Sequence, residues 1–142
     1  MRIPMKVDYG VRALVDLAQH VEQGPVRTAE IASRQFIPEP YLDQVLTTLN
    51  KYGFIHSRRG PNGGHVLAKP AEEISLGDVM AILEGRSVPL DCFEEPAECQ
   101  LSAVCAQREV WRGIDEAIQE LLRNTSVASL AHRQQAMVGL PV

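Results

Sequence analysis

Apolar residues recur at intervals of three and four along the first third of the chain, which is the spacing of an amphipathic helix. This pattern predicts a first helix over residues 6–20 and a short second helix at Thr28, the expected N-cap residue. Pro38 and Pro40 mark a turn and the first turn of a third helix, which Gly53 ends. Three consecutive helices are therefore expected.

The third predicted helix has two unlike faces. One face is apolar and consists of Leu42, Val45, Leu46 and Leu49. The opposite face is small and hydrogen-bonding and consists of Pro40, Gln44, Thr47, Thr48 and Lys51. A face that only meets solvent usually carries more glutamate and lysine. The pattern suits contact with a polar surface, with an ordinary solvated face as the alternative.

Two short β-prone runs follow, separated by a glycine-rich turn at residues 60–64. Such a pattern predicts a hairpin, and Arg58 and Arg59 stand at one shoulder of it. The order of helices and basic hairpin is typical of a winged helix-turn-helix, in which one helix enters the major groove and the wing follows the backbone or minor groove. We therefore expect a mainly α fold with a small β-hairpin.

The second half of the chain predicts a different kind of segment. Ser75 and Asp78 resemble a capping box ahead of a fourth helix, which Gly85 closes. Residues 86–101 form an acidic loop, and helical periodicity returns over 102–123 with an apolar stripe wide enough to favour a dimer seam over packing on the first domain. The expected organisation is a winged helix-turn-helix domain (1–85), the start of a cysteine-bearing loop (86–101), a dimerisation helix with a short last helix (102–134) and a tail (135–142).

At 142 residues the chain is about one domain, and its 45% apolar and 23% charged residues indicate a folded protein. The net charge of −4 hides an asymmetry: residues 1–70 hold nine basic and six acidic side chains, and residues 71–142 hold five and twelve. A weakly basic half joined to an acidic half fits a DNA-facing module that carries a second module. The chain has no run of 18 uncharged apolar residues and no apolar stretch of a secretory signal, so we expect no membrane association and a cytoplasmic location.

All three cysteines, Cys92, Cys99 and Cys105, fall within one acidic stretch of 14 residues. An odd number of cysteines makes a poor disulfide framework, and scattered cysteines would be typical of a core. The clustering instead indicates metal ligands or a redox site. The four histidines are scattered, and we expect them on the surface or in the wing.

Together these segments resemble a known family, the bacterial winged-helix regulators that sense through iron–sulfur clusters and include IscR, NsrR and RirA. The resemblance covers nearly the whole chain. Its most specific segments are Met1–Ile3 leading into Asp8–Ala13, Tyr41–Gln44, the wing at Arg58–Gly64, Glu73–Val79, and Cys92–Glu95 with Cys99 and Cys105. The cysteine stretch is most similar to that of RirA-type iron regulators.

The resemblance implies a homodimer that reads a dyad-symmetric DNA operator, with an iron–sulfur cluster on each protomer held by Cys92, Cys99 and Cys105. Soft thiolates suit such clusters. In IscR-like members a histidine follows three residues after the last cysteine, where this chain has Arg108, so we expect 4Fe–4S rather than 2Fe–2S. In some NsrR-like members an aspartate from the partner's first helix completes the site. Asp8 matches that position here, and an acid that only favours its own helix terminus is the equal alternative.

The predicted DNA contacts are Thr28, Tyr41, Gln44, Thr47, Arg58, Arg59 and Asn62. Gln44 can pair bidentately with adenine, and Tyr41 and Thr47 can reach a phosphate or a thymine methyl group. Arg59 can enter a narrow minor groove, with Arg58 on a phosphate.

These features favour a transcription regulator, by resemblance a repressor, in which the state of the cluster moves the long helix and changes the spacing of two recognition helices. Iron, nitric oxide and redox state are all open as the signal. The alternative keeps the DNA-binding domain and makes the cysteines a thiol switch without a cluster. Neither an enzyme nor a small-molecule substrate is expected, because the glycine-rich turn at 60–64 joins two strands and lacks the strand-to-helix context of a phosphate loop.

Overall fold

Six α-helices and one antiparallel β-hairpin make up residues 2–138, the part of the chain that the computed structural model describes. The elements are α1 (Met5–Gln19), α2 (Thr28–Gln35), α3 (Glu39–Lys51), β1 (Ile55–Arg58), β2 (Gly64–Leu67), α4 (Leu76–Leu83), α5 (Ala106–Arg123) and α6 (Val127–Met137). Short 3-10 helices lie between them at Val21–Gln23, Ala71–Glu73, Asp91–Phe93 and Pro96–Glu98. Met1 of the N-terminal motif and residues 139–142 of the expected tail lie outside the described residues.

The two helix starts expected from the sequence have different outcomes. The capping box is confirmed, since Ser75 Oγ accepts a hydrogen bond from the Asp78 N–H at 3.0 Å and Asp78 Oδ2 accepts one from the Ser75 N–H at 3.1 Å. The expected N-cap at Thr28 is wrong: α2 begins at Thr28, and its N-cap residue is Arg27. The Thr28 hydroxyl is paired with His65 on β2 instead, a contact with no local signature in the sequence.

Helix α1 lies at the centre of the fold and packs against α2, α3, α4 and α6. Each of these helices contributes fully buried apolar side chains to a single core, among them Leu14, Ile31, Leu46, Val79 and Val127. The last helix, which we expected to group with the dimerisation segment, thus returns to the winged-helix core. It runs to Met137, three residues into the segment 135–142 that was expected to be a tail.

A buried carboxylate joins α1 to α2. Asp16 is fully buried, and its two oxygens accept hydrogen bonds from the Arg34 guanidinium at 2.8 and 2.9 Å and from Gln35 Nε2 at 3.1 Å. The bond to Asp16 raises the pKa of Arg34 above its ordinary value. A charge removed from water needs such partners. Loss of one member of this cluster would therefore leave the others without their hydrogen bonds inside the fold.

Helix α5 is the exception to the packing of the other helices. None of its residues is buried, and its main contacts are with α4. Val110, Trp111, Ile114 and Leu121 are between 42% and 69% exposed, so the wide apolar stripe expected from the sequence lies uncovered. A pocket of about 600 Å³ between α4 and α5 extends this surface. Contiguous apolar surface of this kind marks an interaction face.

Candidate DNA-binding surface and cysteine centre

Helix α3 presents the polar face that the sequence predicted. Its apolar stripe is buried, which turns Tyr41, Gln44 and Thr47 outward as exposed side chains. The Thr47 hydroxyl donates to the Asp43 carbonyl at 2.7 Å, so its proton is already used inside the helix. An exposed helix with an amide and an aromatic hydroxyl on one face is suited to a groove lined by donors and acceptors.

The hairpin has the glycine-dependent turn of a wing. Strands β1 and β2 pair antiparallel over four residue pairs, and Arg58, Arg59 and Asn62 are exposed at and beyond the end of β1. Gly60 and Gly64 have φ values of 105° and 145°, which favour glycine. A Cβ atom on Gly64 would also lie 2.8 Å from the backbone that precedes α2. The turn therefore depends on glycine for both its conformation and its close approach.

Backbone bonds attach the wing to the segment before α2. The N–H of Val26 donates to the His65 carbonyl at 3.0 Å, and the N–H of His65 donates to the Val26 carbonyl at 2.8 Å. Arg27 Nη2 donates to the Pro61 carbonyl in the turn. Arg27 carries no pattern in the sequence that would have singled it out, because its partner is 34 residues away.

The His65 side chain links three elements of the candidate DNA-binding surface. Its Nε2 is 2.8 Å from Thr28 Oγ1 on α2, and its Nδ1 is 2.7 Å from Ser57 Oγ on β1. The Ser57 N–H in turn donates to Asn50 Oδ1, at the end of α3, at 3.2 Å. Burial lowers the pKa of His65, and the negative charge of Asp43 partly opposes this. Thr28 therefore faces the wing.

The three cysteines lie on one segment but are not gathered into a ready ligand set. Cys92 is in the 3-10 helix Asp91–Phe93, Cys99 follows the next one and is exposed, and Cys105 is the N-cap residue of α5. All three are free thiols. Within residues 2–138, no three cysteine, histidine or acidic side chains come close enough together to hold a metal ion.

Arg108 brings two of the cysteines to the same end of α5. It stands in the first turn of the helix that Cys105 caps, and its Nη2 donates to the Cys92 carbonyl at 3.0 Å. Its guanidinium also lies 5.5 Å from the centre of the Phe93 ring, and that of Arg112 lies 5.7 Å from the same ring. The Cys92 turn is therefore held against α5, and Cys99 is left on the outside.

Asp8 is paired within its own chain. Its carboxylate accepts two hydrogen bonds from Arg12, at 2.7 and 3.0 Å, one helical turn away. Arg12 also donates to the Gln35 carbonyl at 3.0 Å, so the pair is fixed to the end of α2. The Asp8 side chain is 44% exposed and stays accessible from outside the chain.

The structure combines a winged-helix core, an exposed polar helix and a cysteine-bearing segment. Comparison with known proteins decides the family. The family model described as Rrf2, iron-dependent transcriptional regulator, matches residues 3–133. The chain belongs to the Rrf2 family. This confirms both the resemblance drawn from the sequence and the winged-helix fold.

Individual Rrf2 relatives match over almost the whole chain. The HTH-type transcriptional regulator IscR of Serratia proteamaculans is 37% identical over 138 residues, which are 97% of this chain and 84% of the relative. The solved structure of T. potens IscR has a TM-score of 0.79 and 32% identity, and the match covers all of this chain and 94% of that one. That of CymR, described as the global cysteine regulator of B. subtilis, has a TM-score of 0.81 and 32% identity, with 94% and 98% of the two chains covered.

These relatives are transcriptional regulators, and this Rrf2 chain is accordingly a transcriptional regulator of a DNA-binding family and not an enzyme. Among residues 2–138, no helix combines the length and apolarity that a membrane crossing requires.

Proposed function

We propose that this chain is a homodimeric, cytoplasmic transcription repressor whose affinity for a dyad-symmetric operator is set by an iron–sulfur cluster. The observation that carries the proposal is the position of the three free cysteines. All of them lie on the one segment that joins the winged-helix core to the uncovered helix α5. A change in that segment acts directly on the element best placed to join two copies of the chain.

Helix α3 supplies the proposed major-groove contacts. Gln44 reads adenine through its amide, which can donate and accept at once. Tyr41 lies on the same exposed face and contacts a phosphate or a thymine methyl group. Thr47 lies beside it, and because its hydroxyl proton is used within the helix, it contacts a thymine methyl group through its own methyl.

The wing supplies the proposed contacts outside the major groove. Arg59 enters the minor groove and Arg58 contacts a phosphate. Asn62, at the exposed turn, adds a hydrogen bond to the DNA backbone. Thr28 acts by holding His65, which keeps the wing in register with α2.

The uncovered apolar stripe of α5 supports a homodimer. Pairing the same stripe from two copies gives a two-fold interface, and a two-fold dimer presents two α3 helices to two half-sites of an operator. The α5 helix would thus define a dimerisation region that begins at the cysteine segment, while α6 stays with the winged-helix core.

The donor set fits an iron–sulfur cluster in its chemistry. Three thiols on one short segment are the ligands that such clusters prefer, and Cys92 and Cys105 already lie at one end of α5. Arg108 stands where an IscR-like histidine would be expected, and a guanidinium has no lone pair to offer iron, which favours 4Fe–4S over 2Fe–2S. When bound, the cluster supplies a centre whose integrity and redox state respond to iron, oxygen or nitric oxide.

Asp8 of the partner subunit is the candidate fourth ligand. Its carboxylate is exposed enough to be reached, but both of its oxygens are bonded to Arg12 in its own chain. Ligation therefore requires that one oxygen be released from Arg12. The alternative is that Asp8 only stabilises the first turn of α1, where a negative charge is favourable.

The proposal is tested by a visible absorption spectrum and by iron and sulfide analysis of protein purified without oxygen. A broad band near 400 nm, which the family resemblance leads us to expect for 4Fe–4S, should be present and should bleach in air. A colourless protein that takes up no iron after anaerobic reconstitution would overturn the cluster.

A second candidate function is a thiol switch without a cluster. The similarity to CymR, a cysteine regulator by its description, and the exposed free thiol of Cys99 favour it. Oxidation of Cys99 to a sulfenate would then be the signal. Under this alternative, iron-free protein binds the operator, and mild peroxide changes both that binding and the mass of the Cys99 peptide.

A further inference from the structure

One nitrogen beside the cysteine segment has no partner. Arg108 Nε is shielded from solvent and, within residues 2–138, is without a hydrogen-bond acceptor. The other end of the same guanidinium is anchored, with Nη2 on the Cys92 carbonyl and the plane near the Phe93 ring. Buried donors are almost always satisfied in native proteins. An orphaned donor on an otherwise anchored side chain therefore points to a partner that the protein chain itself does not supply.

The surroundings of this nitrogen indicate what that partner is. A pocket of about 460 Å³ is lined by both Arg108 and Cys105, together with Arg112 and Glu109. Two guanidinium groups thus flank a pocket that also contains a thiol, at the N-terminal, positive end of α5. The two guanidinium groups outnumber the one carboxylate, of Glu109, so the pocket favours an anion, and sulfur bonded to iron is an anionic acceptor.

We infer that Arg108 is a positioning residue for the proposed cluster: it holds the Cys92 turn against α5 and donates its Nε–H to cluster or cysteine sulfur. The inference rests on the proposed function, since the acceptor belongs to the cluster site. A cluster held by thiolates is electron-rich, and a hydrogen bond to its sulfur stabilises the reduced state. Arg108 is thereby a determinant of how easily the centre is reduced and how long it survives in air.

Arg112 provides a matched control, because it contacts the same Phe93 ring and lines the same pocket but makes no hydrogen bond to Cys92 among the described residues. Arg108→Gln, Arg108→Lys and Arg112→Gln would be compared with wild type after anaerobic reconstitution. The measurements are iron and sulfide per chain, the bleaching rate in air, the reduction potential and the thermal midpoint of the cluster-free protein.

We expect Arg108→Gln to bleach about tenfold faster than wild type, in line with other substitutions of groups that support metal ligands. Its reduction potential should move to a more negative value. Arg108→Lys keeps the charge without the Nε–H geometry and should also bleach faster. Arg112→Gln should stay within about twofold of wild type. The thermal midpoints of the cluster-free variants should agree with one another, which separates this role from a structural one.

Equal bleaching rates and potentials in Arg108→Gln and wild type would overturn the inference and leave the cluster intact. Equal losses in Arg108→Gln and Arg112→Gln would also overturn it, since charge alone would then be the cause. Wild type that binds no cluster would overturn the proposed function, and this inference with it.

Discussion

The winged-helix half of this chain (residues 2–85 together with α6) and the cysteine half (residues 86–123) differ in how many of their side chains are buried. In the first half, α1 is surrounded by four helices, and even a carboxylate, Asp16, is buried with full partners. In the second half, no residue between 86 and 123 is buried. A segment of that length with an amphipathic helix and no buried side chain is not a stable unit by itself. The difference teaches that the DNA-facing half is completed by its own packing, whereas the cysteine half is left for the proposed cluster and the proposed second copy to complete.

The sharpest test of this difference is Cys99→Ala, for which we expect complete loss of the cluster colour. Cys99 is exposed and makes no contribution to the core, so the cluster-free fold should be unaffected. The spectrum and the iron content per chain would be measured after anaerobic reconstitution. Gln100→Ala, at the neighbouring exposed position, is the control and should keep its colour. Full colour in Cys99→Ala would remove Cys99 from the ligand set.

The self-sufficiency of the first half is tested by Asp16→Ala. Removing this carboxylate leaves Gln35 and the partly exposed Arg34 without their partner, and we expect a loss of about 3 kcal/mol in the free energy of unfolding, the lower end for a broken buried pair. Urea unfolding at one fixed protein concentration measures it, because the proposed dimerisation would make stability depend on concentration. Asp78→Ala, which removes an exposed capping carboxylate, should cost only about 1 kcal/mol. If Asp16→Ala does not fold, Asp16→Asn tests the same charge with less change of shape. A cost no larger than that of the control would contradict the argument.

Local patterns in the sequence predicted most of the first half. The stripe of α3, the capping box at Ser75 and the hairpin all depend on neighbouring residues, and the structure contains each of them. The residues that the sequence did not reveal have distant partners: Thr28 with His65, Arg27 with Pro61, and Asp16 with Arg34. Periodicity carries no information about such pairs, because it reports which face is buried and not what covers it.

The candidate site was likewise predictable in its local pattern and not in its contacts between distant residues. The clustering of three cysteines is visible in the sequence, but the contact between Arg108 and the Cys92 carbonyl depends on how the loop folds back on α5. The sequence showed only that Arg108 falls three residues after Cys105, inside the helix predicted over 102–123. Likewise, the return of α6 to α1 is set by the buried Val127 and not by any boundary in the sequence.

The DNA-binding surface predicts a smaller effect than the core does. Arg59→Ala should weaken operator binding by about 1–3 kcal/mol if Arg59 reads the minor groove, and the loss should vary with the sequence of the site. Titrations against a panel of operator variants at fixed salt would measure this. Arg133→Ala removes an exposed charge on α6 and should leave affinity unchanged. A uniform loss across the panel would assign Arg59 to a phosphate instead.

The smallest expected effect concerns the pH dependence of stability through His65. Burial lowers the pKa of this imidazole, with Asp43 opposing, so the folded protein binds fewer protons than the unfolded chain once the pH falls below about 6.5. Stability from this group is therefore fully present above that pH and is lost as the pH falls towards the folded pKa. Urea midpoints at pH 8 and pH 5.5 would be compared for wild type and His65→Gln, with His132→Gln on the exposed part of α6 as control.

We expect His65→Gln to lose less stability than wild type between these two pH values, while His132→Gln follows wild type. Glutamine retains a donor and an acceptor for Thr28 and Ser57 but cannot be protonated, so the comparison isolates the charge from the hydrogen bonds. The two hydroxyls can accept from a charged imidazole, which limits the penalty to the removal of that charge from water. An identical pH dependence in wild type and His65→Gln would show that the imidazole stays as well hydrated in the wing as in the unfolded chain.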